Sequence, residues 1–104
     1  MKKIINRKVY DTDTAEEIAS DSSHLFSGDF GYWEETLFRT KKGAYFLYGS
    51  GGPMSKYAEP CGNNGMAGGS DIVPLSPKDA VEWLEEHDCV DELEEYFADE
   101  LEEA

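Results

Sequence analysis

From Asp79 to Ala104 the chain carries 13 acidic residues and no lysine or arginine, a net of −13. The preceding 78 residues hold ten acids and nine bases, a net of −1, so nearly all of the formal charge of −14 lies in the last quarter of the chain. A like-charged block is either a solvated tail or the outer face of a folded element, and periodicity distinguishes them. Ser76 fits a helix N-cap, Pro77 the first helical position, where a missing N–H costs nothing, and Asp79 the positive helix end. Ala80, Trp83, Leu84 and His87 then fall at helical spacing, and Val90, Leu93, Phe97 and Leu101 repeat it. Two acidic C-terminal helices are expected, over residues 77–87 and 89–101, kinked at His87-Asp88; one long bent helix is the alternative.

With the apolar stripe turned inward, the carboxylates point out. Glu82, Glu85 and Glu86 populate the first helix, while Glu92, Glu95, Asp99 and Glu102 form an outer row on the second, with Asp91 at N3 a further candidate of the acidic face. A helix from Glu82 to Glu103 would be roughly 33 Å long. Its 12 acids would then stand one per about 2.8 Å, against about one charge per 1.7 Å of duplex DNA. Like charges one turn apart oppose helix formation, and no lysine is interleaved to relieve them. A solvated, solubilising face is the plain alternative, but solubility needs far less charge than this. The expected partner is a basic nucleic-acid-binding protein. Direct binding of nucleic acid is not expected from a chain of this net charge.

The first 78 residues read as a small antiparallel sheet. Lys2 to Tyr10 suits two short strands around an Asn6-Arg7 turn, and Thr14 with Glu17 has capping-box spacing, which predicts a short N-terminal helix over 14–20. A central hairpin over 32–48 is the clearest element. Trp33, Glu35 and Leu37 alternate with Tyr32, Thr36 and Phe38, Lys41-Lys42-Gly43 turns the chain, and Ala44 to Tyr48 returns. Residues 21–31 and the glycine-rich stretch 49–71 read as loops, with Ile72-Val73 as a final short strand. The expectation is one α+β domain: residues 1–78 sheet-rich and near-neutral, residues 79–104 acidic and helical. Tyr48, Lys56 and Tyr57, in or beside the long loop, are secondary partner-binding candidates.

Chemical motifs fail on inspection. Asp11-Thr12-Asp13-Thr14 resembles the aspartate pair of phosphotransferases in a chain too short for that fold, and it lacks the glycine and the later glutamate of a calcium loop. Gly49-Ser50-Gly51-Gly52-Pro53 lacks the Gly-Lys-Ser/Thr ending of a phosphate loop. His24 and His87 are the only imidazoles, and His87 suits a helix C-terminus better than catalysis. No enzyme, cofactor or metal is expected. Cys61 and Cys89 read as free thiols, since a disulfide would need an oxidising compartment. No apolar run approaches the ~20 residues of a membrane span and no signal peptide is visible, so a cytoplasmic location is expected.

Residues 1–15 (Met-Lys-Lys-Ile-Ile-Asn-Arg-Lys-Val-Tyr-Asp-Thr-Asp-Thr-Ala) resemble a family of small proteins carried by phages and mobile elements of Gram-positive bacteria. The resemblance continues through Thr36 to Gly43, Tyr45 to Tyr48, Gly51-Gly52-Pro53, Pro74-Leu75-Ser76, Ala80 and Trp83-Leu84. It implies an accessory role in a bacterial host cell. Proteins of this size and origin include anti-CRISPR and anti-restriction inhibitors, of which acidic ones commonly imitate DNA. Together with the charge, it predicts a non-enzymatic anti-CRISPR inhibitor whose acidic helices fill the nucleic-acid channel of a CRISPR effector. The competing expectation is a mobile-element interaction module, or an anti-restriction protein, that binds through the hairpin and the glycine-rich loop.

Overall fold

In a computed structural model of the chain, residues 1–26, 28–63 and 65–104 are described; Ser27 and Asn64, both in segments expected as loop, lie outside the described residues. The chain begins with β1 (Lys2–Ile5) and β2 (Lys8–Asp11), paired antiparallel. Asn6 and Arg7 both take positive φ, 51° and 64°, which is how a two-residue turn matches the twist of the strands it joins. A four-stranded antiparallel sheet follows, in the order β3 (Glu16–Ser22), β4 (Trp33–Arg39), β5 (Tyr45–Gly51) and β8 (Gly69–Leu75). Between β5 and β8, the short strands β6 (Glu59–Cys61) and β7 (Gly65–Ala67) form a separate ribbon.

The expected N-terminal helix is not there. Residues 16–22 form β3, and the described residues hold two α-helices, not three. Thr14, Ile18 and Ser20 are weak helix formers, so a seven-residue segment has little local drive to hold a helix. Pairing with β4 instead satisfies the backbone, and a bulge at Ile18 sets both Ile18 and Ala19 against the helix-side core. Thr14 does not cap; the backbone N–H groups of Thr14 and Ala15 donate to the Asp11 carbonyl, and the Asp11 carboxylate accepts from the Asp13 N–H in a tight turn. The segment expected as a loop, 49–71, is about half strand: β5 runs on to Gly51, β8 begins at Gly69, and the ribbon lies between.

The two C-terminal helices are present but shorter than expected. Helix α1 (Pro77–Glu86) starts as its sequence dictates, with Ser76 Oγ accepting from the Asp79 N–H at 3.1 Å. The kink falls at Asp88, whose φ is 54°, and α2 (Val90–Tyr96) ends four residues before Leu101 is reached. A single 3₁₀ turn (Ala98–Glu100) follows, and Leu101 is extended. Four acids in a seven-residue helix repel one another, and no cation sits in its last turn to offset the negative dipole end. Phe97 leaves helical geometry and packs on Tyr45 at 5.3 Å between ring centroids. The polyanion is therefore two short rods and a turn, and Glu92, Glu95, Asp99 and Glu102 do not lie along one helix.

Each face of the sheet has its own cover. The helices close one face over Ile18, Leu37, Tyr45 and Leu47, through Ala80, Trp83, Leu84, Leu93 and Phe97. The β1–β2 hairpin contributes to the other face, where Tyr10 joins Phe38, Phe46 and Ile72. Burying each large side chain contributes about 1.5–3 kcal/mol. No helix among the described residues is long and apolar enough to cross a membrane.

Candidate functional site

Strand register sets Asp21, Glu35, Gly49 and Asp71 in one row across the sheet. Directly paired residues share a face, so three carboxylates belong to this row. Glu35, at its centre, is 2% exposed. An isolated buried carboxylate would be severely disfavoured. Here it accepts from the Tyr57 hydroxyl at 2.5 Å and the Trp83 indole N–H at 3.1 Å, and Lys56 Nζ stands 2.6 Å away. Burial pushes its pKa up, but the bonds from Lys56, Tyr57 and Trp83 more than offset this and hold it below the usual glutamate value. Tyr57 is driven the other way, first by burial and then by Glu35 beside it.

Gly49 makes this approach possible. A Cβ there would fall 2.0 Å from the Tyr57 phenol, so only a bare backbone lets the ring cross β5 to reach Glu35. Trp83 on α1 and His87 at its C-cap are one turn apart, their tilted rings 4.2 Å apart between centroids. His87 Nδ1 lies 2.6 Å from Asp21 Oδ2, and its Nε2 lies 4.0 Å from Glu35 Oε1. The bond to His87 is the main reason the Asp21 carboxyl stays below its ordinary range. Sheet, helix α1 and the 52–58 segment are thus locked through one polar cluster. Among the described residues, no buried side-chain polar atom lacks a partner. A fully bonded cluster of this kind fixes geometry.

The expected site residues divide by exposure. Glu82, Glu85, Glu86, Asp91, Glu95, Asp99 and Glu102 are exposed, and Glu92 is half-buried. Trp83 and Leu84 are buried on the inner side of α1, which directs the glutamates of that helix outward. Tyr57 is buried and engaged by Glu35; Lys56 is exposed along its stem but its ammonium is held by the same carboxylate; Tyr48 is half-buried on the opposite face of the sheet. Cys61 and Cys89 are free, Cys61 exposed and Cys89 half-buried. Burial, with Glu92, Asp21 and Asp88 nearby, pushes the Cys89 thiol up and away from reactivity.

Sequence reasoning missed the partnership of Glu35 with Trp83, His87 and Lys56. A signal for it was present: Glu35 stands between Trp33 and Leu37 on the apolar side of the alternation, where an unpaired charge would not be tolerated. No family model, curated protein or solved structure matches the chain.

Proposed function

We propose that the protein is a non-enzymatic inhibitor that presents its acidic helices to a cationic nucleic-acid channel, in the manner of an anti-CRISPR protein acting in the cytoplasm of a bacterial host. The observation that carries this reading is the charge of residues 79–104: 13 acids without a lysine or arginine. The cluster around Glu35 supports it by fixing α1 through Trp83 and His87, so that Glu82, Glu85 and Glu86 form a stationary array. Channels that hold a guide–target duplex grip backbone charge and shape, which carboxylates on a rigid support can imitate. Such an interaction associates quickly and weakens with salt. The resemblance to mobile-element proteins supplies the effector class.

The test is charge reversal on exposed positions. Glu85→Lys, Glu86→Lys and Glu95→Lys together should abolish inhibition of DNA binding by a purified CRISPR effector while circular dichroism stays unchanged. Undiminished inhibition by a folded triple variant refutes the proposal.

A second reading has its own observation. Phe26, Phe30 and Met54 are 83%, 63% and 76% exposed, and the Met54 N–H donates to the Phe30 carbonyl, joining the β3–β4 loop to the glycine-rich segment. Exposed aromatic and methionine side chains are common anchors of protein interfaces. If the protein is an interaction module of this second kind, the triple variant stays active and Phe26→Ser with Met54→Ser does not.

A further inference from the structure

A groove of about 600 Å³ runs between the β1–β2 hairpin and the β4–β5 turn, lined by Arg7, Lys8, Tyr10, Lys41 and Lys42 with Thr14 at its side. Four of the chain's nine cations line it, and no acid does. All four are exposed. Among the described residues, none of them makes an ion pair, although the chain supplies 23 carboxylates. Of the other five cations, Lys2, Lys3 and Lys56 are each paired, while Arg39 and Lys78 lie outside the groove with no ion pair among the described residues. Four cations from the β1–β2 hairpin and the β4–β5 turn thus stand around one groove with no ion-pair partner. Arg7 adds a second observation, because its φ of 64° is a conformation that a residue with a Cβ adopts only at a cost. A long guanidinium is held where glycine or asparagine would be relaxed.

We propose that this groove binds the phosphodiester backbone of a single nucleic-acid strand, independently of the acidic helices. The net charge of −14 speaks against such a partner only as an average. At physiological salt the Debye length is about 8 Å, so charges beyond that distance act weakly on the groove. A flexible strand presents its phosphates one by one and can follow cations on both banks, and the Arg7 fork suits a phosphate in two-point contact. The carboxylates of a second copy are a poorer match. They sit on two short helices whose spacing is set by the fold, and each copy brings the same large net charge to the encounter.

Only phosphates are engaged, so RNA and DNA strands of equal length should bind alike. The experiment is fluorescence anisotropy with a labelled oligouridine and a labelled oligothymidine. Four phosphate contacts give a slope of about −2.8 in log affinity against log salt, so affinity should fall about fifty-fold between about 50 and about 200 mM salt. Lys41→Gln with Lys42→Gln should halve the slope, leaving a fall of about sevenfold over the same range. Arg7→Gly should also weaken binding while raising Tm, because it removes a contact and relaxes the turn together. That pairing separates loss of a ligand contact from damage to the fold. No binding at low salt, or an unchanged slope in the lysine double variant, overturns the proposal. It is also overturned if sedimentation shows the wild-type chain pairing with itself at low salt and the double variant not, which would assign the groove to a second copy's carboxylates.

Discussion

The two faces of the central sheet are closed by different physics. On the hairpin side, Phe38 and Phe46 stack at 5.2 Å and Tyr10 meets Phe46 edge-on at 5.5 Å, with Ile72 completing an apolar cluster. On the helix side, a core of Leu37, Leu47, Leu84 and Phe97 continues into a charged cluster around a carboxylate as deeply buried as its hydrocarbon neighbours. Packing is non-directional and tolerates exchange of one hydrocarbon for another of similar volume. A buried charge does not, because every partner must be present at once. The helix face is therefore less tolerant of substitution, and it is also the face that carries the acidic array.

The largest expected effect tests this asymmetry directly. Glu35→Ala should destabilise the protein by about 2–5 kcal/mol, because it leaves the buried Tyr57 hydroxyl and Trp83 N–H without their common acceptor, each at about 1–3 kcal/mol, while Lys56 turns to solvent. Phe46→Leu, at the most buried position of the other face, should cost only about 1 kcal/mol. Urea midpoints of the two variants compare them. Equal losses would mean that the buried carboxylate contributes nothing distinctive.

Acid should separate the faces next. The folded-state pKa values of Glu35 and Asp21 are both depressed, by Lys56, Tyr57 and Trp83 in one case and chiefly by His87 in the other. A depressed carboxylate stabilises the fold fully above its unfolded value and loses that contribution as pH falls through the folded value. Unfolded references of 4.5 and 3.8 place the loss below about pH 4.5. Wild-type stability should therefore hold above about pH 4.5 and fall progressively below it as the two carboxylates are protonated. Glu35→Gln, already weakened at the higher pH, should fall less. The core cluster on the hairpin side contains no carboxylate, so Phe46→Leu should show the wild-type slope.

The same asymmetry governs what could be read from the residues in order. The hairpin over 32–48 was legible because Phe38, Phe46 and their neighbours alternate with period two, and α1 was legible because Ser76, Pro77 and Trp83 supply a cap, a start and a face. Residues 14–20 suggest a helix because a capping-box spacing is a local signal, whereas β3 is decided by pairing with β4, from Ser22 with Glu34 to Glu16 with Arg39. The second helix was overextended because its apolar spacing continues to Leu101, but Val90 and Leu101 are exposed and only Leu93 and Phe97 are buried. The outward acids were legible as composition. The Glu35 cluster was not, because its members come from β3, β4, the 52–58 segment and α1, and their meeting depends on Gly49 having no side chain.

The smallest expected effect asks whether the acidic array is in tension with the fold that presents it. Glu95 is exposed near the C-terminal end of α2. Asp91 lies four residues before it and Glu92 three, so the native arrangement sets like charges on one side of a short helix, at the end where the dipole also disfavours them. Glu95→Lys reverses each of these terms: the lysine follows both acids in the favourable order and meets the negative helix end. Each pair is worth about 0.2–0.5 kcal/mol. The variant should therefore be more stable than wild type, by about 1 kcal/mol in all, with Tm raised by about 4–8 °C at low salt, and the gain should shrink as salt screens the charges. A stabilised variant that has lost its partner would mean that the acids are kept at the expense of stability for what they bind. A variant no more stable than wild type would mean that the array carries its repulsion without strain, and the contrast between the two faces would then rest on the buried carboxylate alone.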